Sequence, residues 1–131
     1  MEFLLVTNNE LVRAQYENLH PLLFIEGNDR AVMTRLRDFV HEGHTLLSHP
    51  LCGSVKPGET PFRSELISKE TKGNVDPVSL DLIESCMAAL DKFRVRYEGQ
   101  TEKVLDDFRA IDLSIIESAV PRAVADQTGR F

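Results

Sequence analysis

Hydrophobic residues in the first half of the chain cluster in short continuous runs, separated by stretches in which they recur every three or four residues. Continuous runs of this kind are typical of strands that are buried on both faces of a sheet. The segment at 64–68 instead alternates weakly, which suits a strand nearer an edge. We therefore predict four strands, at residues 3–7, 22–26, 45–47 and 64–68.

Amphipathic stretches with helical periodicity separate these strands and follow them. Asn28 is placed to cap a helix that extends to Glu42 and ends at Gly43. Asp76 followed by Pro77 is a strong helix start, because proline suits the first helical position. We predict a short helix after Asn9, one from about 29 to 42, one that begins at 77, and one that begins after Thr101 and stops before Pro121.

Two segments in the second half of the chain have patterns that differ from those of the helices and strands above. Residues 93–97 alternate apolar and basic side chains, so they either extend the preceding helix or form a short strand. Residues from Arg122 onward are polar, which indicates a loosely held tail. The sequence therefore predicts one α/β domain over residues 1–120 and a flexible C-terminal tail over residues 121–131.

The order of these elements predicts an α/β fold: a three-layer sandwich around a short, mostly parallel sheet of flavodoxin-like or Rossmann-like type. Right-handed crossovers should make the first three strands parallel, in the order 2-1-3, with the fourth strand beside the third. Sheets of this type bind ligands outside the carboxyl ends of their strands. Polar segments at 7–9, 26–28 and 48–50 follow those ends, so we expect a site there.

A long loop, residues 48–64, follows the third predicted strand. It contains three of the six prolines and two of the seven glycines, which exclude a continuous helix or a central strand. A loop of this length in a compact domain is usually functional or disordered. We expect ligand-binding residues here and at the strand ends: Asn8, Asn9, Ser48, His49, Gly53, Ser54, Lys56, Thr60 and Arg63.

Charge and hydropathy narrow the classes of function. The 131 residues carry 21 acidic and 15 basic side chains, for a net charge of −6. An acidic domain repels phosphate backbones, so we expect no nucleic-acid partner. The N-terminus lacks a basic start and no apolar run is long enough to span a bilayer, so we expect a cytoplasmic protein without a membrane partner.

No cofactor and no metal site are expected. A glycine-rich turn is missing after the first strand, and residues 53–57 have the wrong spacing for a phosphate-binding P-loop. The four histidines show no ligand spacing with cysteines or carboxylates. A milder hypothesis remains, in which Ser54, Lys56 and backbone amides near Gly53 bind a carboxylate or a phosphate. The alternative is a solvated loop with a routine lysine.

Thiol chemistry is the main enzymatic alternative. Two lone cysteines in a cytosolic protein are expected to be reduced, with Cys86 packed in the core. His49 and Cys52 could form an activated pair, because a nearby imidazolium lowers the pKa of a thiol. No third group orients this pair, and His49 can instead bond a backbone carbonyl, so we expect no catalytic residue. An enzyme that uses His49 with Ser54 or Cys52 stays an alternative.

Three segments resemble the GrdX family of small proteins: 6–9, 24–27 and, most specifically, 49–64, where the sequence is HPLCGSVKPGETPFRS. The resemblance covers about residues 3–92. Members are encoded with the glycine, sarcosine and betaine reductase systems of amino-acid-fermenting anaerobic bacteria. The resemblance therefore implies a cytosolic accessory protein, regulatory or related to assembly, with components of those reductases as partners. It implies no established catalytic role.

Three classes of function follow from these observations. The leading one is an accessory protein that binds a small anionic ligand at the loop. The others are a small enzyme and a protein-interaction module whose loop docks on a partner. A pocket lined by converging polar groups would favour the first two, whereas a flat loop beside an exposed apolar patch would favour the third.

Overall fold

The computed structural model describes residues 2–50 and 57–127 of the chain. Residues 51–56 lie outside the described residues, and with them the predicted roles of Cys52, Gly53, Ser54 and Lys56. Within the described ranges the chain forms, in order, β1 (Phe3–Thr7), α1 (Glu10–Tyr16), β2 (Leu22–Phe24), α2 (Asp29–His41), β3 (Ser64–Ser68), α3 (Pro77–Lys92) and α4 (Glu102–Gln127).

The sheet is mixed, and β1 lies at its centre in the order β2-β1-β3. β1 and β2 are parallel, with Leu5 opposite Leu22, as the sequence predicts. β3 is antiparallel to β1, with Leu5 opposite Leu66. β3 corresponds to the predicted fourth strand, and residues 45–47 form no strand, so the prediction of three parallel strands is not confirmed. No fourth strand forms among the described residues, and the flavodoxin-like topology is not confirmed.

The predicted third strand, residues 45–47, shows why the topology differs. It contributes only one antiparallel bridge, between Leu46 and Ile67. The amide of Leu46 donates to the hydroxyl of Ser79 at 3.0 Å, so a side chain takes the place of a strand partner. β3 pairs all five of its residues with β1 and occupies the position beside it. Because the chain reverses direction between these two segments, β3 returns antiparallel to β1.

Helices pack on both faces of the sheet and give the three layers that the sequence predicts. Side chains alternate between the faces of a strand, so Val6 faces α2 and α3 while Leu5 faces α1 and α4. Each fully buried aliphatic side chain of this kind stabilises the fold by about 1.5–3 kcal/mol. The first cluster contains Val6, Val32, Met33, Leu36, Phe39, Val40, Ile67, Ile83, Cys86 and Leu90, and the second contains Phe3, Leu5, Val12, Tyr16, Leu66, Ile116, Val120 and Ala123.

Three helix starts follow the capping rules. The side chains of Asn9, Asn28 and Asp76 accept hydrogen bonds from the amides of Leu11, Ala31 and Ser79. Each such cap typically contributes about 1 kcal/mol. The predicted caps at residues 28 and 76 are confirmed, and so is the burial of Cys86 in the core, where its side chain is 2% exposed.

The last helix departs from the sequence prediction. α4 continues through Pro121 to Gln127, so the predicted stop before the proline is wrong. Pro121 lies on the exposed side of the helix, where a missing N–H costs least. Val120 and Ala123, on either side of it, are buried in the same apolar cluster as Leu66. This packing stabilises a helix that local propensity alone would end.

The segment between α3 and α4 includes residues 93–97, for which the sequence predicts either an extension of the helix or a short strand. α3 ends at Lys92, and residues 93–97 form neither a helix nor a strand. The amide of Arg96 donates to the carbonyl of Gly58 at 2.7 Å. Gly58 has φ +84°, and a Cβ there would lie 2.6 Å from the carbonyl oxygen of Arg94. The carboxyl end of the long loop is therefore held tightly against this segment, and only glycine fits the contact.

Candidate ligand-binding site

Asn8 holds together the segments that surround the carboxyl ends of β1 and β2. Its side-chain amide donates to the carbonyls of Gly27 and Pro61, at 3.0 and 2.7 Å. Its side-chain oxygen accepts from the amide of Arg63 at 2.9 Å. All three bonds are to the protein's own backbone. The loop residues that precede β3 are therefore bonded to the end of β1, where the sequence predicts a ligand.

A chain of hydrogen bonds joins the end of β1 to α4. The amide of Asn9 donates to Thr7 Oγ1 at 2.9 Å, and the hydroxyls of Thr7 and Ser64 are 2.6 Å apart. Ser64 then donates to Asp112 Oδ2 at 2.7 Å. The side chain of Asn9 donates to the same carboxylate oxygen at 3.0 Å and to the carbonyl of Arg109 at 2.8 Å. Asn9 therefore caps α1 and also joins the end of β1 to α4 through hydrogen bonds.

Asp112 is a buried acid, and its side chain is 7% exposed. Burial raises the pKa of this carboxyl, because desolvation disfavours the charged form. The hydrogen bonds from Asn9 and Ser64 and the charge of Arg63 act in the opposite direction. The carboxyl group of Asp112 therefore accepts hydrogen bonds from Asn9 and Ser64 in a network that is almost inaccessible to water.

Arg63 occupies the interior, although the sequence suggests a cation exposed on a loop. Its side chain is 4% exposed, and desolvation lowers the pKa of the guanidinium. The charges of Asp29 and Asp112 oppose that shift. Its Nε and Nη2 have no hydrogen-bond partner among the described residues. Arg63 therefore acts mainly as a buried countercharge to two buried acids.

Asp29 is held on the other side of this arginine. Tyr97, in the segment that contacts Gly58, donates its hydroxyl to Asp29 Oδ1 at 2.9 Å. Burial and this hydrogen bond to Asp29 raise the pKa of Tyr97 to about 12, so the phenol stays protonated and remains a donor near neutral pH. The contact links α2 to the chain that follows α3.

An open cavity of about 370 Å³ lies beside the other end of the loop. Its walls are the chain that enters the loop, the first residue of β3 and the C-terminal half of α4. Apolar side chains make up most of the surface, with a few hydroxyls and two basic groups. The lining residues are Leu47, Ser48, His49, Ser64, Ile115, Ile116, Ser118, Ala119, Arg122 and Ala123. A cavity of this size and polarity suits a small organic molecule.

The predicted site residues are divided between two environments. Ser48 and His49 line the cavity. Asn8, Asn9 and Arg63 belong to the buried network beside it. Thr60 is 3% exposed, and its hydroxyl accepts from the amide of Phe62 at 3.2 Å, so it shapes the loop end.

Four residues that matter to the cavity or the network were missed: Ser64, Asp112, Ile115 and Arg122. The spacing of Ile115, Ala119 and Arg122 is one helical stripe, i, i+4 and i+7. Extending the last predicted helix past Pro121 would have shown this stripe. No local signal indicates that Ser64 and Asp112 meet, because they are brought together only by packing.

The family comparison agrees with the resemblance seen in the sequence. The family model described as GrdX-like protein matches residues 4–121. The chain belongs to the GrdX-like family. The match extends beyond the loop into α4 and includes Ser48, His49, Ser64 and Ile115 of the cavity wall, whereas Arg122 lies just outside it. No curated protein and no solved structure matches the chain.

Metal ligands and membrane-spanning helices are the next features that bear on the kind of site. Across residues 2–50 and 57–127, no group of three or more His, Cys, Asp or Glu side chains is arranged to hold a metal ion. In the same part of the chain, no helix combines the length and the apolar character needed to cross a bilayer.

Proposed function

We propose that this protein is a non-catalytic accessory protein, regulatory or related to assembly, of a glycine, sarcosine or betaine reductase system, and that it binds a small anion where loop 48–64 leaves the core. Membership of the GrdX-like family supports the reductase context. The cavity of about 370 Å³ beside Ser48 and His49 is the single observation that carries the binding role.

The basic groups of the cavity support an anionic ligand. Arg122 is exposed at the wall of the cavity. An arginine can bind a carboxylate or a phosphate through two parallel hydrogen bonds, which a lysine cannot do. His49 adds a second polar group of the same wall. Arg122 and His49 therefore form a local binding surface for a negatively charged group on a protein whose net charge is negative.

The hydroxyls of the cavity favour binding over catalysis. A nucleophilic serine transfers its proton to a base, commonly a histidine. The hydroxyl of Ser48 donates to Glu65 Oε1 and accepts from the amide of Leu66, at 3.1 Å in the second contact. Ser64 donates to Asp112. Both hydroxyls therefore donate to buried carboxyl groups. This arrangement fixes the two serines in the wall of a binding site and favours binding over nucleophilic attack.

Calorimetric titration tests the binding role. Phosphate, acetyl phosphate and glycine are titrated into the wild-type protein, Arg122→Met and Lys56→Ala. Loss of a charge-assisted hydrogen bond, about 1–3 kcal/mol, should weaken binding of the preferred anion by roughly tenfold to a hundredfold in at least one variant. Lys103→Met is the matched control, because it removes an exposed positive charge elsewhere on α4. Equal affinity in all four proteins, or no binding by any, contradicts the proposal.

The reductase context needs a separate measurement. Purified reductase components are mixed one at a time with the protein, and the mass of the eluting species is measured by light scattering. A complex with one component, absent with an unrelated acidic protein, supports an accessory role. Monitoring each component for product formation with and without the protein distinguishes regulation from assembly.

A further inference from the structure

The three serine hydroxyls that line the cavity all donate to acceptors of the protein itself. Ser48 donates to Glu65 Oε1, Ser64 donates to Asp112 Oδ2 at 2.7 Å, and Ser118 donates to the carbonyl of Ile115 at 2.8 Å. A hydroxyl has one proton, so a serine that donates elsewhere offers only its oxygen lone pairs to a ligand. These oxygens therefore favour a ligand that contains hydrogen-bond donors.

The acids behind these hydroxyls strengthen that preference. Glu65 is 1% exposed and Asp112 is 7% exposed, so both acceptors of these hydroxyl protons are buried within the protein. Ser48 and Ser64 lie between these two carboxylates and the cavity. This inner wall therefore presents hydroxyl oxygens as acceptors, which suits an ammonium group and offers no hydrogen-bond donor to a bare anion.

The basic group lies at the other end of the same helix stripe. Asp112 and Arg122 are ten residues apart on α4, which corresponds to about 15 Å along the helix axis. Ile115, Ile116 and Ala119 line the wall between them. The cavity thus has an acceptor end, an apolar middle and a guanidinium end.

We infer that the cavity binds a dipolar ligand, with a protonated amine at the Ser48 and Ser64 wall, a carboxylate at Arg122 and an apolar chain between the two charges. The inference rests on the proposed anion-binding role and adds the cationic end and the spacing. A simple inorganic anion would leave the inner wall without a donor. An α-amino acid as small as glycine has its charges too close together to reach both ends. An ω-amino acid fits the chemistry of each wall.

Binding is tested with the intact chain and three amino acids in which the amine and the carboxylate are increasingly far apart: glycine, γ-aminobutyrate and ε-aminocaproate. Hexanoate and hexylamine are the matched ligands, because each lacks one of the two charged groups. ε-Aminocaproate should bind at least about tenfold more tightly than glycine and than either single-charge ligand, since each charged end adds a charge-assisted hydrogen bond.

Variants assign each end of the ligand. Arg122→Met should reduce the affinity for ε-aminocaproate to that for hexylamine and leave the affinity for hexylamine unchanged. Ser48→Ala should reduce the affinity for both amines and leave that for hexanoate unchanged. Ser64→Ala is a second variant of the same wall, and circular dichroism melting checks that both serine variants fold. Lys103→Met and Ser114→Ala, both at exposed positions of α4, should behave as wild type.

Two results overturn the inference. Hexanoate that binds as tightly as ε-aminocaproate shows that no cationic end is recognised, and an affinity that is flat across the three amino acids shows that the spacing is wrong. If phosphate or acetyl phosphate still binds and Lys56→Ala or Arg122→Met weakens it, the proposed anion-binding role survives without the dipolar ligand. If no ligand of either set binds, both proposals fail.

Discussion

The two ends of the loop at 48–64 are built in opposite ways. At the carboxyl end, Arg63 is 4% exposed and its amide is bonded to the side chain of Asn8 at 2.9 Å. At the amino end, His49 is exposed and Ser48 borders a cavity of about 370 Å³. Both ends combine prolines with polar side chains. Composition therefore does not separate the buried end of the loop from the end that borders the cavity, whereas the packing of neighbouring elements does.

The comparison shows two uses of polar groups in one small domain. In the buried end, the side chains of Asn8, Asn9 and Asp112 are hydrogen-bonded to other parts of the chain, so they fix how β1, β3 and α4 meet. In the open end, apolar walls from α4 leave space, and a few polar groups border it. Substitutions at the first end should affect stability, and substitutions at the second should affect binding.

Asp112→Ala should give the largest effect. The change leaves Ser64 and Asn9 without their shared acceptor and removes one of the two acids that compensate Arg63. Removing one member of a buried charged group commonly costs about 3–5 kcal/mol. We expect the free energy of unfolding in urea to fall by about 3 kcal/mol or more. Asp107→Ala, at an exposed position of the same helix, should change it by less than about 0.5 kcal/mol.

The dependence of stability on pH should also reveal the burial of Asp112, with a smaller effect than the alanine substitution. Because burial raises the pKa of Asp112, the folded state binds its proton more tightly than the unfolded chain does. The contribution of this group to stability is therefore fully present below the unfolded pKa of about 3.9 and is lost as pH rises through the raised folded pKa. Asp112→Asn cannot titrate and should lack this loss.

The measurement is the difference in unfolding free energy between wild type and Asp112→Asn at several pH values. Other groups titrate equally in both proteins and cancel in the difference. The difference should change steadily above about pH 4 and become constant at higher pH. A difference that stays constant across the whole range would contradict the raised pKa.

Ala119→Leu should give the smallest effect on stability and a large effect on binding. Ala119 lines the open cavity, so a larger side chain can extend into free space rather than into packed atoms. We expect the unfolding free energy to change by less than about 1 kcal/mol. Ligand titration should show lost or strongly weakened binding. Ala88→Leu, at an exposed position of α3, is the control and should bind normally. A strong loss of stability would mean that the cavity wall is packed like the buried end.

Local sequence signals predicted most of the secondary structure because they depend on neighbouring residues. The caps at Asn28 and Asp76 and the apolar runs of β1 and β2 are of this kind. The antiparallel placement of β3 is not, because a loop as long as 48–64 lets the chain return in either direction. The continuation of α4 past Pro121 also depends on packing, since Val120 and Ala123 are stabilised by the sheet.

The candidate site was predictable only in part for the same reason. Ser48 and His49 were expected from the polar segment that follows an apolar run, and they do border the cavity. Arg63 resembles an exposed loop cation in the sequence, yet its surroundings include Asp29 and Asp112, which are 34 and 49 residues away along the chain. Burial of a charge depends on such distant partners, which one sequence does not reveal.

Pro121 has a mechanical consequence for the cavity. A proline has no N–H, so the carbonyl of Glu117, one turn earlier, lacks its helical hydrogen bond. Helices bend most easily at such a gap in the ladder. Ile115 and Ala119 precede Pro121, whereas Arg122 follows it, and all three border the same space. Pro121 is therefore the position at which α4 would bend most easily, and a bend there would change the distance between the guanidinium of Arg122 and the apolar wall of the cavity.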